Sequence, residues 1–177
     1  MQPMRVALDG AAIRGIDLAA QWLLMHWLFL TNAIVAVFLA LPLLAPLLPA
    51  AGWDGPASAI YSFYSLVCHQ MPSRSYFLFH YQVAFCQRNV AIIAALLLGG
   101  LTYASLRDRI RPLRWQLYLL MILPMAVDGF TQLFGWREST WGLRTLTGGL
   151  FGLASAWVLY PAADRALLRQ LAAVTLA

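Results

Sequence analysis

The sequence predicts an all-α membrane protein, a bundle of about four transmembrane helices with one short interfacial or re-entrant helix. Three observations support this fold class. The 177 residues are 62% apolar and only 11% charged, whereas a soluble domain is about a quarter charged. The apolar residues are gathered in four long stretches, and no alternating pattern typical of strands is evident. Because backbone groups in lipid must pair within their own segment, helices are the form in which such stretches cross a membrane.

The four apolar stretches define the predicted spans. Each is close to the roughly 20 residues that cross a hydrocarbon core about 30 Å thick. The first stretch is longer than the apolar core of a signal peptide, so we expect it to be retained as a helix. The predicted spans cover residues 18–44, 83–106, 115–134 and 142–160. We therefore expect a single transmembrane domain over residues 1–177.

Residues 57–69 form a further apolar segment that is too short to span a bilayer. Its large apolar side chains recur at the spacing of one helical face, and they are Ile60, Phe63, Tyr64 and Val67. We expect this segment to lie as a helix at the membrane surface. It then brings Cys68 and His69 to its end.

Arginines set the predicted orientation. All twelve basic residues are arginine, so the net charge of +5 is carried by guanidinium groups. Four of them lie within residues 107–114, between the second and third spans, and such a loop stays on the cytoplasmic side. With four spans, both termini are then cytoplasmic, together with the flanking arginines Arg5, Arg14, Arg165 and Arg169.

This orientation places the connections 45–82 and 134–142 on the outer side of the membrane. Those connections and the adjoining span ends carry most of the unusual polar side chains, so we expect one outer-facing polar pocket. Its candidate ligand-binding residues are Arg74, Arg88, Asp128, Gln132, Arg137 and Arg144, and its candidate metal or disulfide residues are Cys68, His69 and Cys86.

Asp128 is the most informative residue of that set, because an unpaired carboxylate within a span is costly. Gln132 lies four residues further on and shares its helical face. Arg144 and Arg88 are the two candidate partners. A structural Asp–Arg bridge and a ligand site are both consistent with this pattern.

Arginines outnumber carboxylates among the candidate residues. Guanidinium groups bind phosphate or carboxylate through paired donors, which favours a small anionic ligand such as a lipid headgroup or a polyprenyl phosphate. The alternative is that some of these arginines only extend to the surrounding lipid headgroups.

Cys68 and Cys86 are the two cysteines of the chain. Because both are predicted on the outer side, where an oxidising space favours disulfides, a disulfide is one interpretation. With His69 they also supply ligands that suit a metal ion such as zinc, although adjacent Cys-His is an unusual spacing. A third interpretation is a membrane thiol oxidoreductase, but no C-x-x-C pair is present.

The fourth span carries a face of small residues at Gly148, Gly149 and Gly152. Such faces allow close helix contact, within the bundle, in self-association, or with other membrane subunits that the chain would serve as a non-catalytic accessory protein. No basic face is free of hydrophobic flanks, so we expect the lipid bilayer and not nucleic acid as partner. No nucleotide or hydrolase fingerprint is present, so whether the chain is an enzyme stays open.

The order of the motifs resembles a known family. The motifs are Cys68-His69-Gln70, Arg74-Ser75, Cys86-Gln87-Arg88, Asp128-Gly129 with Gln132, Arg137, Arg144-Thr145 and Thr147-Gly148-Gly149, and together they are similar to the uncharacterised prokaryotic membrane-protein family, domain of unknown function 2085. The resemblance implies a multi-pass membrane protein without an assigned activity, and we expect the chain in a prokaryotic cytoplasmic membrane.

Overall fold

Residues 10–175 are described by the structure, a computed structural model, with side chains described over residues 18–169. Its six helices are α1 (Gly10–Leu44), α2 (Leu47–Ala50), α3 (Asp54–Ser65), α4 (Gln87–Leu106), α5 (Trp115–Leu133) and α6 (Trp141–Thr175). Four of them, α1, α4, α5 and α6, are long and apolar enough to cross a membrane. The predicted fold class, an all-α membrane protein with about four spanning helices, is confirmed.

A small β-hairpin lies where the sequence predicted the start of the second span. Strands β1 (Ser75–Leu78) and β2 (Tyr81–Cys86) pair antiparallel, and α4 begins only at Gln87. The predicted start at residue 83 is therefore wrong. The centre of β2 is buried and apolar on successive residues, so its hydropathy runs into that of α4 without the alternation that marks a half-buried strand.

The short helix predicted over residues 57–69 is present as α3, but it begins at Asp54 and ends at Ser65. Cys68 and His69 therefore follow the helix instead of lying at its last turn. Two features turn the chain back here. Gln70 adopts a positive φ of 48°, and its side-chain amide donates to the carbonyl oxygens of Tyr61 and Ala84, at 2.8 and 3.0 Å.

The hairpin and α3 share a buried core with the end of α1. Tyr64 of α3 and Val83 of β2 are fully buried there. The Tyr64 hydroxyl donates to the Phe38 carbonyl oxygen of α1 at 2.6 Å, and the Tyr64 ring makes an edge contact with Phe85 of β2. This core fixes the hairpin against the bundle.

Helices α4 and α6 lie side by side and run in the same direction. Their contacts keep a constant offset of 57 residues. The pairs follow one another along the two helices as Gln87–Arg144, Ala91–Gly148, Ala95–Gly152, Gly99–Ala156, Tyr103–Tyr160 and Arg107–Asp164. We call this series the α4–α6 ladder. Its central pairs contain a glycine, which lets the two backbones approach closely.

The glycine face of α6 is occupied within the chain. A Cβ atom at Gly148 would lie 2.6 Å from the Arg88 carbonyl oxygen, and one at Gly152 would meet the Ile92 carbonyl oxygen. Because α4 covers the Gly148 and Gly152 face within the chain, the structure gives no support to self-association through this face, which stays a prediction.

The ladder separates two ends of the bundle. We call the end with β1, β2 and Arg144 the hairpin end, and the end with Arg107, Asp164 and the loop 107–114 the loop end. Between Arg144 and Asp164, α6 rises by about 30 Å at about 1.5 Å per residue. This distance equals the thickness of a hydrocarbon core, about 30 Å. Beyond the predicted limit at residue 160, α6 continues through Pro161.

Candidate functional site

Asp128 is the centre of a polar cluster at the hairpin end. It lies in the last turns of α5 and is only 1% exposed. Its Oδ2 accepts hydrogen bonds from Arg88 Nη2, from Gln132 Nε2 at 3.0 Å and from Ser139 Oγ at 3.0 Å. Its Oδ1 accepts from Arg137 Nη2 at 2.7 Å. The carboxylate therefore ties α5 to α4 and to the connection that follows α5.

Arg144 was one of two candidate partners of Asp128, and the structure gives that role to Arg88, with Arg137 in addition. Ser139 also bonds to Asp128, and nothing in the sequence indicated it. Gln132 has the expected place, since its amide bonds both the Asp128 carboxylate and the Asp128 carbonyl oxygen.

Arg144 itself is buried, with 7% of its surface exposed. Its Nη1 donates to the Ser73 carbonyl oxygen at 3.1 Å and to Gln87 Oε1 at 3.4 Å. Within the described part of the chain, no Asp or Glu forms an ion pair with Arg144. Its Nε is buried without a hydrogen-bond partner, and so is the Nε of Arg88. Burying such a donor without a partner is costly.

The charges around Arg144 are of both signs, two arginines and two carboxylates, and the two arginines act more strongly on it. Arg74 and Arg88 are unfavourable neighbours of its charge, and Asp128 and Glu138 oppose them. Arg88 is the second residue of α4 and Arg144 the fourth of α6. Both guanidinium groups therefore belong to the first turn of a helix, where the helix dipole adds further positive potential. An anion is the ligand that such a position favours.

Each residue of the motif Cys86-Gln87-Arg88 makes its own contact with a neighbouring element. The backbone N–H of Cys86 donates to Cys68 Sγ at 3.3 Å. Gln87 accepts from Arg144 and donates to the Ser75 carbonyl oxygen at 3.1 Å. Because Arg88 reaches Asp128, three consecutive residues connect the cysteines, the hairpin and α5. Gln87 and Ser75 belong to the motifs of the sequence and to its outer polar residues, but they were not among the predicted ligand-binding residues.

Cys68 and Cys86 are neighbours, and no disulfide joins them in the structure. Burial raises the pKa of the Cys86 thiol, and the nearby Cys68 raises it further. They line a cavity of about 320 Å³ together with His69, Gln70 and Arg74. This contact is compatible with a disulfide between the two cysteines, which stays a prediction.

The metal hypothesis receives no support from the geometry. Over the residues whose side chains are described, no three His, Cys, Asp or Glu side chains come together as a ligand set for a metal ion. His69 is exposed, and His80 lies in the turn of the hairpin, where its φ is 68°. Cys68, His69 and Cys86 therefore stay a predicted ligand set only.

The four long apolar helices and the polar hairpin end define a multi-pass membrane protein, and comparison with known proteins then gives its family. A family model described as "Predicted membrane protein (DUF2085)" matches residues 68–158, about half of the chain. The chain belongs to this family, and the predicted resemblance is confirmed. All the motifs from Cys68-His69-Gln70 to Thr147-Gly148-Gly149 lie within the matched residues.

Two archaeal relatives are similar to this chain. An uncharacterized protein of Methanocaldococcus jannaschii is 39% identical over 112 residues, which cover 62% of this chain and 71% of that protein. An uncharacterized protein of Methanothermobacter thermautotrophicus is 35% identical over 95 residues, which cover 51% of this chain and 81% of that protein. No solved structure matches the chain.

Proposed function

We propose that this protein binds a small anion at the hairpin end, with Arg144 as the central cation and Arg88 and Arg74 beside it. One observation carries the proposal. Arg144 is buried near other arginines, forms no ion pair with a carboxylate among the described residues, and has a buried Nε without a hydrogen-bond partner, as Arg88 does.

The different hydrogen-bond partners of the arginines support this proposal. Asp128 is occupied by Arg88 and Arg137, so its charge is already shared between two guanidinium groups. It holds Arg88 in position, and no carboxylate among the described residues forms an ion pair with Arg144. A phosphate or carboxylate group supplies several acceptor oxygens that match the planar guanidinium forks.

We test anion binding by thermal unfolding of the detergent-purified protein in increasing inorganic phosphate. A ligand that binds only the folded state raises the melting temperature with concentration. We expect this rise in the wild type and expect Arg144→Gln to abolish it. Arg165→Gln is the matched control, since Arg165 is an exposed arginine of α6 at the loop end. An equal rise in Arg144→Gln and wild type contradicts the proposal.

We further propose that the hairpin end faces outward from a prokaryotic cytoplasmic membrane and that both termini are cytoplasmic. The loop 107–114 holds four arginines at the loop end, and Arg165 and Arg169 lie on α6 towards its C-terminus at the same end. Such loops stay in the cytoplasm. Of the arginines before the first span, Arg5 lies outside the described residues, and the side chain of Arg14 is not among those described.

Single cysteines test this orientation in a background in which Cys68 and Cys86 are serine. Arg109→Cys and His80→Cys place a thiol at an exposed position of each end. In intact cells, we expect an impermeant thiol reagent to label position 80 and not position 109. Labelling of position 109 and not of position 80 would mean that the protein has the opposite orientation.

The contact between Cys68 and Cys86 supports a second proposal, a disulfide that pins the segment after α3 to the start of α4. The raised pKa of Cys86 argues against the thiol oxidoreductase alternative, because reactive cysteines have lowered pKa values. The intact mass without reductant distinguishes the oxidised chain, which lacks two hydrogens, from the reduced one.

A non-catalytic accessory role remains the rival proposal. The apolar side chains of α5 are largely exposed, for example Leu120 and Leu123, and such a face suits lipid or another membrane subunit. Purification of the protein from its native membrane tests this role. A partner that co-purifies in equal amount, together with phosphate binding that is absent, favours the accessory role.

A further inference from the structure

We infer that the anion is the phosphate headgroup of a membrane lipid, whose hydrocarbon chain lies in an apolar groove between α5 and α6. The inference rests on the proposed anion binding and names the class of ligand that the site takes. The groove has a volume of about 330 Å³, which is within the range of ligand pockets, about 300–1,000 Å³.

The groove is apolar over almost all of its length. Its walls include Ile122, Met125 and Leu133 of α5 and Phe151 of α6. Among the described residues that line it, Arg88 is the single charged one. An apolar groove of this kind suits a hydrocarbon chain, because within the bilayer such surfaces associate through van der Waals packing.

The direction of the groove matches that of a lipid chain. Leu133 lies at the end of α5 next to the polar cluster, and Ile122 lies eleven residues earlier. At about 1.5 Å per residue the groove extends about 16 Å from the hairpin end toward the middle of the bundle. A lipid headgroup held at the polar cluster therefore places its chain along the groove.

Arg88 joins the groove to the charged site. Its Nη2 bonds to Asp128, its Nε is unpartnered, and its charge is a neighbour of Arg144. A free phosphate would use the arginines and leave the groove unused, and a neutral lipid would do the reverse. An amphiphile with a phosphate headgroup satisfies both features at once.

Gly129 provides a substitution directed at the groove. It lines the groove, and a Cβ atom built there meets no other atom within 4 Å. Gly129→Leu therefore fills the groove without a clash at its first atom. Ala126→Leu acts on the same wall one turn earlier and serves as the second variant. Gly55→Leu is the matched control, because Gly55 is an exposed helical glycine of α3 with equally open space.

The experiment measures the apparent affinity of the purified protein for three probes by thermal shift. The probes are inorganic phosphate, dihexanoyl phosphatidic acid and the neutral dihexanoylglycerol. We expect phosphatidic acid to bind at least about tenfold more tightly than phosphate, a difference of about 1.4 kcal/mol. Gly129→Leu or Ala126→Leu should remove this advantage and leave phosphate binding unchanged, whereas Gly55→Leu should change neither.

The outcomes separate the two proposals. Arg144-dependent binding of phosphate without an advantage for phosphatidic acid overturns the lipid inference and leaves the anion site standing. The same holds if both groove variants keep the full advantage. Binding of phosphatidic acid that survives Arg144→Gln, with no binding of inorganic phosphate, overturns the proposed anion site itself.

Discussion

At the loop end of the α4–α6 ladder, Asp164 accepts hydrogen bonds from Arg107 at both oxygens, from Tyr103 at 2.9 Å and from Trp27 at 3.3 Å. One carboxylate meets one guanidinium group, and the charges balance. At the hairpin end, the corresponding pair is Gln87–Arg144, in which the arginine meets a neutral amide. The same ladder therefore ends in a neutral pair on one side and in a positive charge on the other.

Helix dipoles increase this difference. Arg107 directly follows the last residue of α4, and a cation at a helix C-terminus is favourable. Arg88 and Arg144 lie in the first turns of α4 and α6, where a cation is unfavourable for the same reason. We therefore interpret the loop-end cluster as a stabilising device. The hairpin end accepts an electrostatic cost, which is typical of a binding site.

The extent of the family match agrees with this interpretation. The matched residues 68–158 include Arg74, Arg88, Asp128 and Arg144. They include neither Trp27 nor Asp164, so the loop-end cluster is incomplete within them. The matched segment thus contains the charged residues of the hairpin end, and it also contains Tyr103 and Arg107 of the loop end.

Asp128→Asn should give the largest loss of stability. The substitution removes the acceptor charge from two arginines at a position that is 1% exposed. Breaking a buried ion pair from one side costs about 3–5 kcal/mol. Because the Arg88 and Arg137 side chains are 22% and 41% exposed, we expect the lower part of this range in the free energy of unfolding in detergent. Glu138→Gln, at an exposed carboxylate nearby, should change little. Equal effects of the two substitutions would remove the central role of Asp128.

Arg107→Gln should give an intermediate loss. It leaves Asp164 with Tyr103 and Trp27 only, and an under-satisfied buried group costs about 1–3 kcal/mol. Because the Arg107 side chain is 39% exposed, solvent screens the pair and we expect the lower part of this range. Phosphate-dependent stabilisation should be unchanged. Arg109→Gln, at an exposed arginine of the same loop, is the control, and an equal effect there would argue against a specific pair.

Arg144→Gln should change the free energy of unfolding by less than about 1 kcal/mol. It loses the hydrogen bonds to Ser73 and Gln87, but it also removes a buried charge and its repulsion from Arg74 and Arg88. These terms oppose one another, as they do when buried charges are replaced by neutral groups. Thermal unfolding without phosphate measures the effect. A loss of stability as large as that of Asp128→Asn would show that Arg144 stabilises the fold. It would contradict the interpretation that the two ends of the bundle have different roles.

The sequence was sufficient to predict the four helices and most members of the hairpin-end cluster. Hydropathy and length locate the helices, and the cost of a carboxylate in a span singles out Asp128. Which of the two arginines pairs with Asp128 could not be predicted, because Arg88 and Arg144 both lie in the first turn of a helix at the same end of the bundle. Only the parallel packing of α4 and α6 assigns Arg88 to Asp128 and Arg144 to Gln87.

Two features were missed for physical reasons. The β-hairpin depends on pairing between residues such as Ser75 and Cys86, which local hydropathy does not report. Asp164 was left outside the predicted fourth span, which ended at residue 160. The helix continues through Pro161 and carries Asp164 back to the Arg107 end of α4, where it is buried.

The smallest expected effect concerns the thiols, which belong to the hairpin end. Because burial raises the pKa of Cys86, the thiolate fraction at any given pH is lower than for an ordinary cysteine, whose pKa is about 8.5. In the reduced Cys68→Ser protein, alkylation of Cys86 by iodoacetamide should be slow near neutral pH and should increase with pH to a midpoint above that value. Since Cys68 also contributes to the raised pKa, the wild-type midpoint at Cys86, followed by peptide mass spectrometry, should lie higher still. A midpoint of Cys86 alkylation below the ordinary value would instead indicate an activated thiolate. It would support the hypothesis of a thiol oxidoreductase.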